Sequence, residues 1–298
     1  MIQKNNIDGI ILLDKPSMMS SNQAIQKIKR EFNLNKIGHT GTLDPLATGL
    51  LPLCLGKATK IAQFLIDSDK TYLATIKLGV KTSTGDKEGE VIERSSVDLP
   101  DDSEVEQIIQ SFVGKQEQIP PMYSALKFNG QRLYKLAIKG IDVPRKSRSI
   151  KIHSIDLVSC RNNKIELVIK CSKGTYIRTL AEDIAKEFQS VGHIDQLRRL
   201  NISCFNTQEM HNMNKITSSD VLDDFLLPID TPLGHLQMIE ISNKESSMFC
   251  NGLSISINLT RPQSELYIRV YDDIGTFLGL GKHSNDCLKP RIVFKSMN

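Results

Sequence analysis

One short segment, residues 38–49, combines residues that can do chemistry with glycines that would shape a loop around them. It holds three glycines, with Asp44 directly before Pro45 and His39 five residues before Asp44. Because glycine is costly inside helices and strands, the segment predicts a shaped loop, and such loops carry functional side chains. An aspartate with its ordinary pKa of about 3.9 is ionised at neutral pH and can act as a nucleophile. On the residues alone, we favour the simpler interpretation of an Asp-Pro turn beside a surface histidine.

Two familiar kinds of site are not indicated. The segment lacks the Gly-Lys-Ser/Thr ending of a phosphate-binding loop. The six cysteines are scattered singly, without a Cys-x-x-Cys pair or a histidine at zinc-finger spacing. We therefore expect reduced cysteines, and neither a metal nor another cofactor.

Hydrophobic periodicity predicts the elements that must position this loop. Strands are expected at 9–14, 72–80, 150–157 and 165–171. Helices are expected after a cap at Ser20 or Ser21, and at about 58–65, 105–112 and 177–188. From about Met238 the pattern changes to short β-like pieces, such as 266–271 and 277–280. The sequence thus predicts an α+β fold: a mixed, mainly antiparallel sheet with helices, followed by a small β-rich C-terminal module.

Positive charge is concentrated in one part of the chain. The net charge is only +4, but residues 127–151 hold eight basic residues against one acid, Asp142. Such a patch is expected where a protein contacts phosphates, and a solvated basic surface explains it equally well from charge alone. Glycines and a proline within the same stretch predict an exposed excursion. No apolar run approaches the length of a signal peptide or a membrane span, so we expect a cytoplasmic protein with no membrane partner.

Six separated segments, kept in one order, resemble the bacterial tRNA pseudouridine-55 synthases of the TruB type. They are Asp14-Lys15-Pro16, residues 38–49, Lys70-Thr71-Tyr72, residues 119–127, residues 171–178 and Leu197-Arg198-Arg199-Leu200. The resemblance extends from about residue 8 to residue 235. A looser one, to PUA-like RNA-binding modules, lies around residues 266–293.

The resemblance implies a domain organisation and an activity. It implies a pseudouridine synthase catalytic domain over residues 1–237, including an RNA-gripping insertion at about 119–150, and a PUA-like RNA-binding domain over 238–298. The implied activity is isomerisation of uridine 55 in the T-loop of transfer RNA, with assistance to tRNA folding as a further role. A uridine in a folded loop must leave the base stack to reach an active site.

The resemblance also implies roles for two charged residues. Asp44 matches the catalytic carboxylate, which would attack the ribose or act as a base while the glycosidic bond breaks. Arg178 matches the arginine that pairs with this carboxylate, and a bidentate contact would hold Asp44 charged and oriented. Periodicity alone favours a different partner for Arg178, namely Glu182 one helical turn later.

The remaining site residues are also implied by the resemblance, and each has a plainer interpretation. Tyr72 would stack on the target base and help remove its C5 proton, or fill the core beside its strand. Tyr176 and Leu197 would line the uracil pocket, although Leu197 alone reads as a core residue. His39 would occupy space near the flipped nucleotide and stack on a neighbouring base. Lys15 would support the loop, contact RNA or remain solvated.

Two classes of function remain after the sequence has been considered. The first is an RNA-modifying isomerase that acts on the T-arm of transfer RNA as a monomer, without a protein partner. The second is a non-catalytic RNA-binding or RNA-folding factor on the same scaffold, which needs none of Asp44, Tyr72 and Arg178. A small-molecule hydrolase using His39 and Asp44 is set aside, since no nucleophile or metal-ligand set accompanies them.

Overall fold

The apolar segments of the sequence pair into one large sheet and one small sheet. The computed structural model describes residues 5–219, 221–257, 267–284 and 286–294. In chain order the strands are β1 (Gly9–Lys15), β2 (Ile37–His39), β3 (Thr48–Leu55), β4 (Lys70–Leu78), β5 (Val80–Thr82), β6 (Val91–Arg94), β7 (Gly114–Gln118), β8 (Lys127–Phe128), β9 (Gln131–Arg132), β10 (Arg148–Arg161), β11 (Lys164–Cys171), β12 (Gly192–Ile202), β13 (Phe205–Asn206), β14 (His211–Asn212), β15 (Met238–Glu240), β16 (Ile255–Ser256), β17 (Tyr267–Tyr271), β18 (Phe277–Ser284) and β19 (Cys287–Val293). The helices are α1 (Ser21–Glu31), α2 (Ala62–Ile66), α3 (Asp102–Gln110), α4 (Leu133–Ala137), α5 (Ile177–Glu187), α6 (Met213–Thr217) and α7 (Asn243–Cys250).

The large sheet is mixed and mainly antiparallel. Its strands follow the order β14-β1-β3-β12-β4-β11-β10-β7, with β2 added on β3 and β13 on β12. Within it, β1 runs parallel to β14 and β3 runs parallel to β12, whereas the other pairs are antiparallel. The α+β class expected from the sequence is therefore confirmed.

Local sequence explains the first elements of this sheet. The continuous apolar run of β1 lies between β14 and β3 and is buried on both faces, as such runs usually are. Ser20 caps α1 and forms a capping box with Gln23. Ala24, Ile25 and Ile28 then form the buried stripe of that helix.

A close approach between two neighbouring parallel strands fixes the loop that contains Asp44. At its start, β3 runs beside β12 through the pairs Thr48 with Arg198 and Gly49 with Arg199. Gly49 has a φ of +97°, and a Cβ placed on it would lie 2.3 Å from the Arg199 carbonyl oxygen. Only glycine fits this approach, so the end of the loop is held against β12.

Only part of the helix expected at 58–65 is an α-helix. A 3₁₀ helix spans Gly56–Ile61, and α2 follows it from Ala62 to Ile66. Ala58 and Ile61 are the buried residues of the 3₁₀ helix. Their spacing of three places them on one face of a 3₁₀ helix as well as near one face of an α-helix, so periodicity did not separate the two.

The basic excursion has little regular structure. It contains the short hairpin of β8 and β9 and the single-turn helix α4, whose Leu133 and Leu136 are buried. Most other side chains between residues 125 and 149 are exposed or half-buried. The expectation of an exposed excursion is confirmed.

The C-terminal part is β-rich, as expected. Its strands follow the order β15-β17-β18-β19-β16, and α7 accompanies them. Residues 258–266, which include the start of one expected β-like piece, lie outside the described residues. Leu280 and Phe294 pack into a common apolar cluster with Ile10 and Leu50 of the large sheet. In the part of the chain that the structure describes, no helix combines the length and hydrophobicity needed to cross a membrane.

Candidate active site

Asp44 forms a two-pronged ion pair with Arg178. The Nε of Arg178 lies 2.9 Å from Oδ2 of Asp44, and its Nη2 donates to Oδ1 at 3.2 Å. Asp44 comes from the loop between β2 and β3, and Arg178 from the first turn of α5. The arginine side chain is 6% exposed and that of Asp44 is 32% exposed. The carboxylate is therefore held in place and still reachable, whereas Arg178 is too buried for the surface pair with Glu182.

Two further segments hold Arg178. Its Nη1 donates to the carbonyl of Thr84 at 2.8 Å, and its Nη2 donates to that of Tyr123 at 2.7 Å. The carboxylate of Asp86 lies 3.9 Å from Nη1. Burial raises the pKa of Asp44, while the charge and the hydrogen bond of Arg178 act in the opposite direction. The guanidinium thus favours the ionised form of a carboxyl group that its surroundings would otherwise protonate.

A cavity of about 320 Å³ opens in front of this ion pair. Its volume is at the lower end of the range for small-molecule sites. The residues lining it are Gly41, Thr42, Leu43, Asp44, Ile66, Lys70, Tyr72, Ser124, Ala125, Arg148, Cys171, Ser172, Gly174, Thr175, Tyr176, Ile177, Arg178, Leu197 and Arg199. Five of the residues singled out from the sequence therefore share one cavity: Asp44, Tyr72, Tyr176, Arg178 and Leu197.

Tyr72 lies on β4, directly opposite Arg199 of β12 in the antiparallel register. Burial raises the pKa of the Tyr72 phenol, and the charge of Arg199 opposes this shift. Arg199 is 1% exposed and donates to the carbonyls of Leu50 at 2.7 Å and Gly41 at 3.2 Å. Arg199 therefore fixes the loop and faces the tyrosine, a role that the sequence analysis did not give it.

Tyr176 precedes α5 and is held by its backbone. Its N–H donates to Oε1 of Gln118 at 2.8 Å, and its carbonyl accepts from Nε2 of Gln118 at 3.1 Å. The guanidinium carbon of Arg148 lies 4.5 Å from the centre of the tyrosine ring. Gln118 and Arg148 were not identified from the sequence as parts of the site, since only the strand register brings them to Tyr176.

Lys15 and His39 lie beside the cavity and do not line it. Lys15 is fully buried, and its Nζ donates to the carbonyls of Pro16, Met19 and Pro45 at 2.8, 2.5 and 3.2 Å. Burial lowers the pKa of Lys15 to about 8. His39 accepts a hydrogen bond at Nδ1 from the N–H of Gly41 at 3.3 Å. Of the three alternatives for Lys15, the geometry fits support of the Asp44 loop.

Within the ranges that the structure describes, no three His, Cys, Asp or Glu side chains are grouped so that they could hold a metal ion. The charged and phenolic groups available in the cavity are one carboxylate, three arginines, two phenols and a buried lysine, Lys70.

Two solved structures share the fold of this chain. The chain resembles one in the "Crystal Structure of a Cbf5-Nop10-Gar1 Complex" with a TM-score of 0.75 and 22% identity, covering 97% of this chain and 85% of that one. A chain in the "Structure of H/ACA RNP bound to a substrate RNA containing 2'-deoxyuridine" resembles it with a TM-score of 0.72 and 21% identity, covering 96% of this chain and 85% of that one. These likenesses define the class of fold.

Sequence models identify the family. Residues 29–177 match the N-terminal domain of the TruB family pseudouridylate synthases, residues 178–234 match the tRNA pseudouridylate synthase B C-terminal domain, and residues 238–294 match the model described as pseudouridine synthase II TruB, C-terminal. The chain belongs to the TruB family of pseudouridylate synthases.

Curated relatives extend the match over nearly the whole chain. A tRNA pseudouridine synthase B from Hydrogenovibrio crunogenus is 42% identical over 98% of this chain and 95% of its own length. Another, from Chromohalobacter salexigens, is 45% identical over 92% of this chain and 90% of its own. The family resemblance seen in the sequence is therefore confirmed.

Proposed function

We propose that Asp44 is the catalytic carboxylate with which this chain converts uridine 55, in the T-loop of transfer RNA, to pseudouridine. Membership of the TruB family, and near full-length relatives of that activity, make the chain a tRNA pseudouridine synthase, an isomerase. The observation that supports the role of Asp44 is its geometry: a carboxylate paired with a buried arginine, partly exposed, on the wall of a cavity.

The reaction is an isomerisation, so substrate and product contain the same atoms. The bond between N1 and the ribose carbon breaks, the uracil turns, and C5 bonds to the same ribose carbon. The proton displaced from C5 is balanced by a proton gained at N1. An ionised Asp44 could attack the ribose or take up a proton as the first bond breaks, and Arg178 supports either role by favouring the charged form.

The other cavity residues would hold the flipped base. Tyr72 and Tyr176 offer aromatic faces for stacking, which offsets part of the cost of removing a base from its stack. Leu197 adds an apolar contact. We infer that His39, which accepts a hydrogen bond from Gly41 of the cavity wall, contacts the nucleotide next to the flipped base.

RNA recognition would extend beyond the cavity. We assign phosphate contacts in the T-arm to the basic insertion at about 119–150, whose side chains are largely exposed. We also keep the proposed division into a catalytic domain, 1–237, and a PUA-like RNA-binding domain, 238–298. Such a two-part grip on one RNA supports a further role in tRNA folding.

We propose that the protein works as a monomer in the cytoplasm, without a protein partner. Asp44, Arg178, Tyr72, Tyr176 and Leu197 already meet in one cavity of a single chain, and this supports the proposal. The cytoplasmic assignment rests on the substrate proposed above. Sedimentation of the free protein and of its complex with tRNA measures the stoichiometry directly.

The decisive experiment compares two aspartates in similar surroundings. Asp14 also forms a two-pronged pair, with Arg198 at 3.0 and 2.9 Å, and is 27% exposed, but it does not line the cavity. We expect Asp44→Asn to bind unmodified tRNA normally and to form no pseudouridine, while Asp14→Asn remains active. An active Asp44→Asn protein would refute the assignment. A native protein that binds tRNA but forms no product would favour the non-catalytic RNA factor instead.

A further inference from the structure

A second groove opens beside the active-site cavity and shares part of its wall. Its volume is about 500 Å³. Ile66, Arg148, Ser172 and Gly174 border both spaces. The groove is lined further by Asp67, Lys115, Ser149, Ile150, Lys151 and Lys173. Four of its lining residues are basic and one is acidic, so the groove is positively charged and leads directly to the site of reaction.

Two of these lysines face each other across neighbouring strands. Lys115 of β7 and Lys151 of β10 form a directly opposed pair in the antiparallel register, and both side chains are exposed. Like charges placed directly opposite in a sheet destabilise it. Within the described residues neither lysine forms an ion pair, and the nearest acid on this face of β7 is Glu117, two residues along the strand. An anion between them would remove this cost.

Arg148 stands at the junction of the two spaces with unused donors. Its Nε and Nη2 are buried and have no hydrogen-bond partner among the described residues. Its guanidinium lies over the ring of Tyr176 at 4.5 Å, and Nη1 is not among its buried, unpartnered donors. A phosphate would meet Arg148 at Nη1 first, and a small turn of the guanidinium would then bring a second donor to it. A buried donor without a partner is costly, and a guanidinium fork matches a phosphate well.

Lys173 is placed differently, because it already has a partner. Its Nζ lies 2.9 Å from Oδ1 of Asp67, and its side chain is 59% exposed. An exposed pair of this kind is weak, so the lysine could exchange its partner for another anion. It therefore belongs to the rim of the groove.

We propose that this groove binds backbone phosphates of the RNA strand that enters the active site, with Arg148 taking the phosphate next to the flipped nucleotide and the Lys115–Lys151 pair taking the following one. The proposal rests on the proposed function, which supplies the RNA. It adds a phosphate track at the edge of the large sheet, and Lys115 and Lys173 lie outside the basic insertion. The phosphates would accept hydrogen bonds from Arg148 and place negative charge between the two lysines.

The test compares lysine neutralisation with a matched control on the same strand. Arg161 is exposed at the opposite end of β10, roughly 30 Å along the strand from Lys151. The proteins are native, Lys151→Gln, the double variant Lys115→Gln with Lys151→Gln, and Arg161→Gln. Affinity for an unmodified tRNA transcript is measured between 50 and 300 mM salt, together with kcat, KM and the thermal midpoint.

Phosphate binding predicts opposite effects on affinity and stability. Lys151→Gln should lose about 0.7–0.9 from the slope of log affinity against log salt, which corresponds to one phosphate contact. Its KM should rise with kcat unchanged, and its thermal midpoint should stay level or rise because the repulsion is relieved. Arg161→Gln should keep the native slope. Equal slopes for these two variants, or a lower midpoint accompanying the lost affinity, would overturn the proposal.

Arg148 is tested by two substitutions. Arg148→Gln should lose one phosphate contact from the salt slope, while Arg148→Lys should keep the slope and bind more weakly, because lysine lacks the planar fork that stacks on Tyr176. Native affinity in both variants would overturn its role. The outcome is separable from the proposed function, since product formation by the native protein tests the isomerase and the salt slopes of these variants test the groove.

Discussion

The pairing of Asp44 with Arg178 makes a prediction that separates charge from position. Arg178→Gln removes the positive charge and both contacts with the carboxylate, whereas Arg178→Lys keeps a charge without the two-pronged geometry. A neighbouring arginine lowers the pKa of an aspartate because it favours the charged form. Because burial already raises the pKa of Asp44, loss of Arg178 should raise this pKa further. In Arg178→Gln, the acid limb of kcat/KM should therefore move to higher pH.

The loss of position adds to the loss of charge. A misplacement of about 1 Å in a reacting group costs on the order of 100-fold in rate, so both variants should be impaired in kcat at every pH. Only Arg178→Gln should recover part of its activity as the pH is raised, because Asp44 then ionises. The assay is the rate of pseudouridine formation on unmodified tRNA between pH 5 and pH 9. Arg198→Gln, which breaks the matching pair with Asp14 away from the cavity, is the control.

Stability provides a second readout of the same change. The folded-state pKa of Asp44 is raised, so its contribution to stability is present below its unfolded pKa and is lost as the pH rises through the folded pKa. A higher folded-state pKa of Asp44 in Arg178→Gln should make the stability deficit of this variant relative to the native protein grow as the pH rises above about 4, by at most about 1.4 kcal/mol per pH unit. The carbonyls of Thr84 and Tyr123 also lose a donor, at about 1–3 kcal/mol each. An unchanged acid limb in a folded Arg178→Gln protein would refute the reasoning.

Three further results are expected from single sites and from the basic insertion. Tyr72→Phe keeps the ring and should keep tRNA affinity, while the rate of product formation falls by about 10²–10⁴-fold if the hydroxyl moves the C5 proton; an unchanged rate would leave stacking as its role. The pKa of Lys15 is about 8 in the folded protein and 10.5 in the unfolded chain, so its stabilising contribution is present above pH 10.5 and is lost as the pH falls towards 8. In urea unfolding, the stability of the native protein relative to Lys15→Met should therefore increase as the pH rises from about 8 to 10.5, by at most about 1.4 kcal/mol per pH unit. Neutralising Lys135, Lys139 and Arg145 together should flatten the salt dependence of tRNA binding, and a native slope would exclude the insertion as a phosphate grip.

Periodicity predicted the elements whose buried faces are regular. The apolar run of β1, which is buried on both faces, and the buried stripe of α5 appear where the sequence places them. The strand expected at 72–80 is observed as β4, Lys70–Leu78, and Val80 begins β5. The segment around Gly56 differs, since a spacing of three fits both a 3₁₀ helix and an α-helix. Fold class followed from these elements without knowledge of the strand order.

The partner of Arg178 was not available from local pattern. Asp44 is 134 residues away, and only the ordered family motifs connected the two. A local signal did exist: Arg178 lies beside Ile177 and one turn before Ala181, on the buried face of an amphipathic helix. A charged residue at an apolar position predicts a buried partner, although it does not say which one.

Other parts of the site depend on strand register, which no local pattern contains. Gln118 reaches Tyr176 because β7 pairs with β10 at the sheet edge beside the start of α5. Lys115 and Lys151 oppose each other for the same reason. A shift of one residue in this register would separate both sets, since side chains alternate between the two faces of a strand.

Assigning residues 197–200 to a strand would have added Arg199 to the site predicted from the sequence. In β12, Leu197 and Arg199 both line the cavity, whereas Arg198 between them pairs with Asp14 elsewhere. This is the alternation of a β-strand, in which neighbours point to opposite faces. Once Leu197 is placed in the uracil pocket, residue 199 must share its face, so the buried arginine opposite Tyr72 follows from geometry. The two adjacent arginines therefore have different functions, and substituting Arg199 should disturb the Asp44 loop through Gly41, while substituting Arg198 leaves the cavity wall intact.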